Sequence, residues 1–426
     1  MSLIEKTSEF ILSNLVVSSK RKIGIEVESI FYNKDMKRLP VNNGEKFSSI
    51  DFLEEMKDVK RLKGVSGEYS LEPGGQLEWS SPPVRNLVLI NDLFKTHKYW
   101  TKEICKKNNL FLIDFATEPI YSPEEIDLIN MKKYSLMHKH FLDTGKHGPW
   151  MMRNTASVQI NLDVTSKQDA QEMAFIADCL QPFSSILFSN SPFHKGQPAG
   201  KNNIRYKIWN DTDAKRCNHL LDHDINSSIG LIKKYSKYIL QVPALFIKDS
   251  NNNIQHYEGT LGDRLSEIKK INDQDIQDAL HQIFTHVRFK HILEIRGCDC
   301  PPEGDEMAPV AFWVGILCAE KNRSLILEMV EEWTEKERRE LNNSVESLNL
   351  NKKGPKGRRI IEWMEIVCNF ALSGLQERQE QQFLSSFINN FFRKGPKSLQ
   401  TQNEFKHSGL NILDFIKRRC SKNQNN

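Results

Sequence analysis

The amino-acid sequence predicts an α+β fold, with a mainly antiparallel sheet and a helical C-terminal third. Two observations carry that reading. Four short segments alternate polar or charged residues with aliphatic ones: Lys22-Ile23-Gly24-Ile25-Glu26-Val27-Glu28, Gln76-Leu77-Glu78-Trp79, Val158-Gln159-Ile160-Asn161-Leu162-Asp163 and Ile292-Leu293-Glu294-Ile295-Arg296-Gly297. Alternation with period two is the signature of a strand with one face buried. All four lie before residue 300, whereas residues 310–318, 324–348, 358–375 and 379–392 carry helical patterns.

Taken in order, residues 1–19 read as an amphipathic helix, with Glu5, Lys6 and Glu9 opposed to Phe10, Ile11, Leu12, Leu15 and Val16. They lack the basic start and unbroken apolar stretch of a signal peptide. After the first strand, residues 42–63 look helical, with Phe52, Leu53 and Met56 on one side. Pro73, Gly74 and Gly75 then enforce a turn between two extended pieces. A helix over 87–108, a strand over 110–115 and a helix over 123–142 lead to the Val158 strand, and a mostly apolar helix over 167–189 follows. Residues 190–216 form a long polar loop, of the kind that is more often functional than idle. Residues 240–247 and 253–257 read as a hairpin closed by Asp249-Ser250-Asn251-Asn252, and residues 298–309 as a further loop.

The 426 residues, 39% hydrophobic and 27% charged, are ordinary for a chain with a full core. No stretch approaches the roughly eighteen apolar residues of a membrane span, and a net charge of +4 makes no case for nucleic acid. Eight scattered cysteines point to reduced thiols in a cytoplasmic setting rather than to a disulfide scaffold.

If the four strands share a sheet, Glu26, Glu28, Gln76, Glu78, Gln159, Asn161, Asp163, Glu294 and Arg296 crowd one face. Carboxylates so placed repel one another unless cations lie between them, and oxygen ligands of this type suit magnesium. Any one acidic pair alone would equally be the exposed face of a surface strand; the recurrence gives the pattern its weight. Gly74 and Gly75 are either a phosphate-contacting turn or a simple tight turn. Arg205 and Arg216, flanking Trp209-Asn210-Asp211-Thr212-Asp213, suit a carboxylate or phosphate, or belong to a capped turn. Cys298-Asp299-Cys300 lacks a second cysteine pair at zinc spacing, so its thiols read as structural. The histidines at 138, 140, 147, 281, 286 and 291 form no zinc motif and read as surface or core residues.

On these residues the sequence resembles the plant-type glutamate-cysteine ligase family, also found in bacteria, within the glutamine synthetase-like carboxylate-amine ligases. The likeness runs through Gly24-Ile25-Glu26-Val27-Glu28, the segment from Ser70 to Glu78, that from Met151 to Asp163, Asn190-Ser191-Pro192-Phe193, Ile208-Trp209-Asn210-Asp211-Thr212-Asp213, Leu293-Glu294-Ile295-Arg296-Gly297-Cys298-Asp299 and Pro309 to Gly315. It implies a curved sheet forming a funnel surrounded by helices, with a catalytic region over 1–320; the helical patterns beyond it read as a region over 321–419 packed on the same domain, and the polar residues 420–426 as a disordered tail. It also implies ATP-dependent ligation of L-glutamate to L-cysteine through γ-glutamyl phosphate, the first step of glutathione synthesis, in a monomer or homodimer.

By the same resemblance Glu26, Glu28, Glu72, Glu78, Glu294 and Gln159 would hold two or three magnesium ions. Arg296 would stabilise the transferring phosphoryl group beside Glu294; on the residues' own reading as a phosphate-contacting turn, Gly74 and Gly75 would join it in contacting ATP. Arg205, Trp209, Asn161 and Arg153 would bind substrate. Plant members carry regulatory cysteines in the strand matching Thr155-Ala156-Ser157 and in the hairpin near 256–269; this chain has none there. The alternatives are a γ-glutamyl ligase using another amine, or a binding protein of the same fold that has lost the reaction.

Overall fold

In the computed structural model the four alternating segments fall in one antiparallel sheet, and the register brings their polar residues into rows. Every residue is described except Ser250, Glu377, Asn425 and Asn426. The chain begins with a capped helix, Leu3–Ile11, and enters β1 (Ile23–Tyr32), followed by β2 (Glu68–Leu71), β3 (Leu77–Ser80), β4 (Phe111–Ile113) and β5 (Ser157–Leu162). Two short hairpins, β6 (Phe193–His194) with β7 (Gln197–Pro198) and β8 (Ile247–Lys248) with β9 (Ile254–Gln255), stand apart, and β10 (Val287–Phe289) and β11 (Leu293–Asp299) complete the sheet. Its order is β10-β11-β5-β1-β3-β2, with β4 paired to the far end of β1.

Across these strands Glu28 stands opposite Glu78, Glu26 opposite Gln159, and Asn161 opposite Glu294, which in turn faces Arg288. The intervening Ile25, Ile160 and Ile295 are paired with one another and buried. One alternation thus separates core from site.

The core is covered by helices on the apolar side. Every residue of Met307–Leu317 is buried, and this helix packs on Ile360–Gly374 so closely that a Cβ on Gly315 would lie 2.0 Å from the Ala371 carbonyl oxygen. Lys167–Leu187 crosses β11 and β10, and Leu87–Asn108 places His97 flat on the buried Trp79 of β3, at 5.3 Å between rings. One continuous cluster takes side chains from Phe10 to Phe391, so the C-terminal helices share the core of the sheet. A second, smaller cluster joins Phe115 and Phe193 to Phe415 and Ile416 of the last helix, Ile412–Gln424. Arg419 of that helix pairs with Asp114 at 3.1 Å, and the Cys420 thiol donates to the Leu112 carbonyl. Residues 420–424 of the expected tail are therefore helical; Asn425 and Asn426 lie outside the described residues. No described helix is long and apolar enough to cross a membrane.

Several expected boundaries shift for local reasons. The helix expected over 42–63 begins at Ser49, where Ser48 and Asp51 form a capping box, while Asn42 is drawn off to bond Leu128 and Asn130. The helix expected over 123–142 is one turn at Pro123–Glu125 and then Lys132–Thr144, because the Ile129 N–H bonds the Pro73 carbonyl in between. Helix Leu231–Gln241 occupies the start of the expected hairpin, leaving β8 and β9 two residues each, and Ser250 of its turn lies outside the described residues. The helix expected over 324–348 is two, Glu320–Glu331 and Glu335–Ser344, the second capped by Thr334. The loop over 190–216 contains a seven-residue helix, Ile204–Asn210.

Because backbone oxygen, not a movable side chain, sits under Gly315, Gly315→Ala is expected to lower stability by about 1–3 kcal/mol. A fall in the urea midpoint at unchanged m-value checks this; an unchanged midpoint contradicts the close packing.

Candidate active site

The polar face of the sheet has an acidic end and a basic end. At the acidic end Glu28, Glu72 and Glu78 bring ligand oxygens within 4.8 Å of one another. Each is fixed separately. Glu28 of β1 accepts from the Ser157 N–H at 2.8 Å, the Ser157 hydroxyl at 2.9 Å and the Gln159 amide at 2.9 Å. Glu78 of β3 accepts from Ser70 across the ladder at 2.9 Å. Glu72 follows β2 in a turn closed by its own N–H to Gln76 and by the Gly75 N–H to the Glu72 carbonyl. Behind that turn the buried Arg38, paired with Glu118 at 3.1 Å, donates to the Gly74 carbonyl, and Gln76 donates to Thr155.

Burial and the neighbouring Glu28 push the Glu72 carboxyl up to about 7. Burial together with Glu72 and Glu26 raises Glu78 well above the ordinary carboxylate range, and burial raises Glu28 against the pull of Arg205. A crowded set of hard oxygens whose negative charge is disfavoured by its own neighbours fits a divalent cation such as magnesium.

The basic end is arranged around Glu294. This fully buried carboxylate is bound by Arg288 through two nitrogens, by Lys290 at 2.6 Å and by Arg296 at 3.1 Å. Burial alone would raise it; the three cations hold it well below the usual range. Arg296 also donates to the Gln159 amide oxygen, which links the two ends through Glu28. Glu26 lies between them, accepting from Asn161 at 3.0 Å with Lys290 at 3.8 Å.

Arg205 and Trp209 sit one helical turn apart on Ile204–Asn210, and the guanidiniums of Arg205 and Arg296 lie 5.7 and 5.9 Å from the Trp209 ring. Arg205 donates to the Arg296 carbonyl and has Asp299 at 3.8 Å. The Nε–H groups of both arginines and the Trp209 indole N–H are buried without a hydrogen-bond partner. Three unsatisfied donors around one indole form a place for an anion.

Not every expected residue joins this group. Gly74 and Gly75 serve the turn: the Gly75 N–H is already used within it, Gly75 has φ +78°, and a Cβ on Gly74 would lie 2.5 Å from the Arg153 Cα. Arg153 itself donates to the Pro123 carbonyl. Gln76 and Asp163 point to backbone, the latter accepting from the Lys22 N–H. Glu294 and the Gln159 oxygen are committed to arginine rather than facing the acidic trio. Arg288, Lys290 and Ser157 belong to the site but were not given a role from the sequence, and Asp299 was read only as part of the Cys298-Asp299-Cys300 cluster; the alternation of Arg288 and Lys290 just ahead of Glu294 was the available signal. Cys298 is buried, as expected, and all eight cysteines are unpaired.

A cavity of about 590 Å³ lies between Leu87–Asn108, β4 and the loop after β11, lined by Phe94, Cys105, Cys300 and Cys420 and reaching β1 at Val27–Ser29, so that Glu28 borders both it and the acidic trio. It includes neither arginine of the site.

Comparison with known proteins bears on the family and the fold. The sequence model of glutamate-cysteine ligase family 2 matches residues 22–378. The chloroplastic glutamate-cysteine ligase of Arabidopsis thaliana is 32% identical over 378 residues, covering 86% of this chain and 71% of that protein. Glutamate-cysteine ligase A of Oryza sativa subsp. indica, also chloroplastic, is 30% identical over 367 residues, covering 84% and 73%. Among solved structures, the glutamate-cysteine ligase of Francisella tularensis in complex with AMP shares the fold with a TM-score of 0.59 at 10% identity, over 95% of this chain and 89% of that one. A bifunctional glutathione synthetase from Pasteurella multocida gives 0.52 at 13% identity; this chain spans about half its length, 53%.

The raised Glu72 carboxyl fixes a sign. Between the unfolded value of 4.5 and about 7 the folded protein holds a proton that the unfolded chain has lost. Its contribution is therefore fully present below 4.5 and is lost as pH rises through about 7. Magnesium is expected to raise Tm more at pH 8 than at pH 5.5, and Glu72→Gln to reduce that difference; thermal melts with and without the ion check both.

Proposed function

The chain belongs to glutamate-cysteine ligase family 2, and on that premise we propose how its residues carry out the reaction. The protein is an ATP-dependent ligase that joins the γ-carboxylate of L-glutamate to the amine of L-cysteine, the first step of glutathione synthesis. The γ-phosphoryl of ATP passes to the γ-carboxylate, releasing ADP. The cysteine amine then attacks the acyl carbon of γ-glutamyl phosphate and phosphate leaves, giving γ-glutamylcysteine.

The observation that carries the residue assignment is the pair of buried arginines with unused Nε–H groups beside Trp209, next to a trio of crowded carboxylates. Arg205 binds the glutamate α-carboxylate; Asp299 and the Arg296 carbonyl hold its guanidinium while leaving Nε–H to the substrate. Trp209 walls the same pocket and keeps water from the acyl phosphate. Arg296, its charge secured by Glu294, stabilises the negative charge that grows on the transferring phosphoryl group. Arg288 and Lys290 keep Glu294 ionised, so Arg296 remains in place through both steps.

Glu26, Glu28, Glu72 and Glu78 would hold magnesium, and their charge suits two or three ions. Bound there, the cations neutralise phosphate oxygens of ATP. Gln159 and Glu294 would join the ligands only by giving up contacts with Arg296 or Lys290. Asn161 orients Glu26, and Arg153 backs the turn that presents Glu72. The unpaired cysteines favour a reducing compartment such as the cytoplasm, and the carboxylates and both arginines come from one chain, so a monomer or a homodimer would each be competent.

ADP release with ATP, magnesium and L-glutamate, comparing L-cysteine with other amines and weighing the product by mass, tests the reading. Cysteine-dependent release of γ-glutamylcysteine is expected; turnover with another amine and none with cysteine would overturn the acceptor. Arg296→Ala is expected to lower kcat by about 10²–10³ or more with the fold intact. Near-normal kcat in that variant would overturn its role.

A further inference from the structure

The helix that carries Arg205 and Trp209 has only seven residues, too few to hold its own orientation. Its start is pinned by Asn203, which accepts from the Tyr206 N–H, and by the Ser191 hydroxyl, which accepts from Ile204 and Arg205. Its far side rests on Tyr206, a buried residue outside the substrate pocket.

Tyr206 makes two contacts that lead to the two arginines by different routes. Its hydroxyl meets the His219 Nε2 at 2.7 Å. His219 Nδ1 faces Asp178 at 3.5 Å, a contact without hydrogen-bond geometry, and Asp178 is held by the Leu220 N–H at 2.7 Å and by Arg338 at 2.8 Å. Arg338 stands on Glu335–Ser344, in the C-terminal helical region. The Tyr206 ring is also stacked on His286, with 5.3 Å between centroids and 6° between the ring planes. The His286 carbonyl accepts the Arg296 N–H at 2.8 Å, and its own N–H donates to Asn218. His286 Nε2 is buried with no partner, so ring packing rather than a side-chain hydrogen bond fixes this residue.

We infer that Tyr206 and His219 are positioning residues for Arg205 and Arg296, and that the C-terminal helix bearing Arg338 acts on substrate binding through them. The inference rests on the assignment of Arg205 to the glutamate α-carboxylate. The chain of contact runs from Arg338 through Asp178, His219 and Tyr206 to the helix of Arg205, with a branch through His286 to the Arg296 backbone. None of these five side chains is among the residues assigned to substrate. Their effect is on where the two guanidiniums stand, and a small displacement of a charged clamp weakens the bound geometry.

Tyr206→Phe removes the hydroxyl and keeps the ring stack. It is expected to raise KM for glutamate about five- to tenfold, with KM for ATP and Tm nearly unchanged. Arg338→Met is expected to move KM for glutamate in the same direction, and the double variant to do no more than the larger single effect, since both break one chain of contact. His219→Gln, whose amide can still meet the Tyr206 hydroxyl, is expected to restore most of what His219→Ala loses. Arg205→Lys serves as the control. If it raises KM for glutamate while Tyr206→Phe and Arg338→Met do not, the positioning role is overturned and the Arg205 assignment stands. If Arg205→Lys leaves KM unchanged, the assignment fails and the inference with it. A lowered Tm in Tyr206→Phe with unaltered KM would mark the contacts as structural only, and additive KM effects in the double variant would overturn the single chain of contact from Arg338.

Discussion

Carboxylates held with their oxygens within 4.8 Å of one another push apart, so whatever fixes them must be independent of the charges themselves. Here that support is the backbone ladder. Glu28 and Glu78 face each other across β1 and β3, and Glu72 hangs from a turn closed by main-chain bonds. Buried polar groups behind them, Ser157 against Glu28 and the Arg38–Glu118 pair under Gly74, oppose relaxation of the cluster. The remaining architecture follows from that requirement: a rigid central strand, an apolar reverse face and helices that bury it.

The basic end solves the opposite problem. Arg288, Lys290 and Arg296 would repel one another without Glu294 between them, and Glu294 could not remain ionised in its buried place without them. Breaking one member of such a cluster leaves the others uncompensated. Gln159 joins the two ends with one amide, its oxygen to Arg296 and its nitrogen to Glu28. The two charged centres are therefore spaced by a neutral residue in the sheet register, not by loops that could drift.

Much of this was legible in the sequence because period-two alternation is a local signal. Glu26, Glu28, Glu78, Gln159, Asn161, Glu294 and Arg296 could be placed on one face from their spacing alone, and the structure puts them there. Glu72, Arg205 and Trp209 lie in turns or a short helix, where spacing carries no direction: the local sequence left Arg205 and Trp209 between an anion site and a capped turn, and only the resemblance gave Glu72 a role. Two kinds of information were missing. Pairing partners from distant segments, such as Arg338 with Asp178, leave no pattern in either segment. Irregular backbone also hides its purpose: Gly74 and Gly75 look like a phosphate turn until the close approach of Arg153 and Ser49 accounts for both. Helix ends moved where a cap such as Ser48 or Thr334 outweighed the apolar pattern.

The unpaired cysteines acquire a meaning once the substrate is a thiol. Exchange with a disulfide or oxidation to a mixed one proceeds through the thiolate. Burial pushes Cys179, Cys217, Cys368 and Cys420 up to about 12 and raises the other four as well. At neutral pH a thiol of that acidity is ionised in roughly one molecule in 10⁵. In an enzyme whose substrate is cysteine, Cys179, Cys217, Cys368 and Cys420 are thus kept as thiols that exchange slowly, and the substrate's own sulfur is left as the more reactive partner.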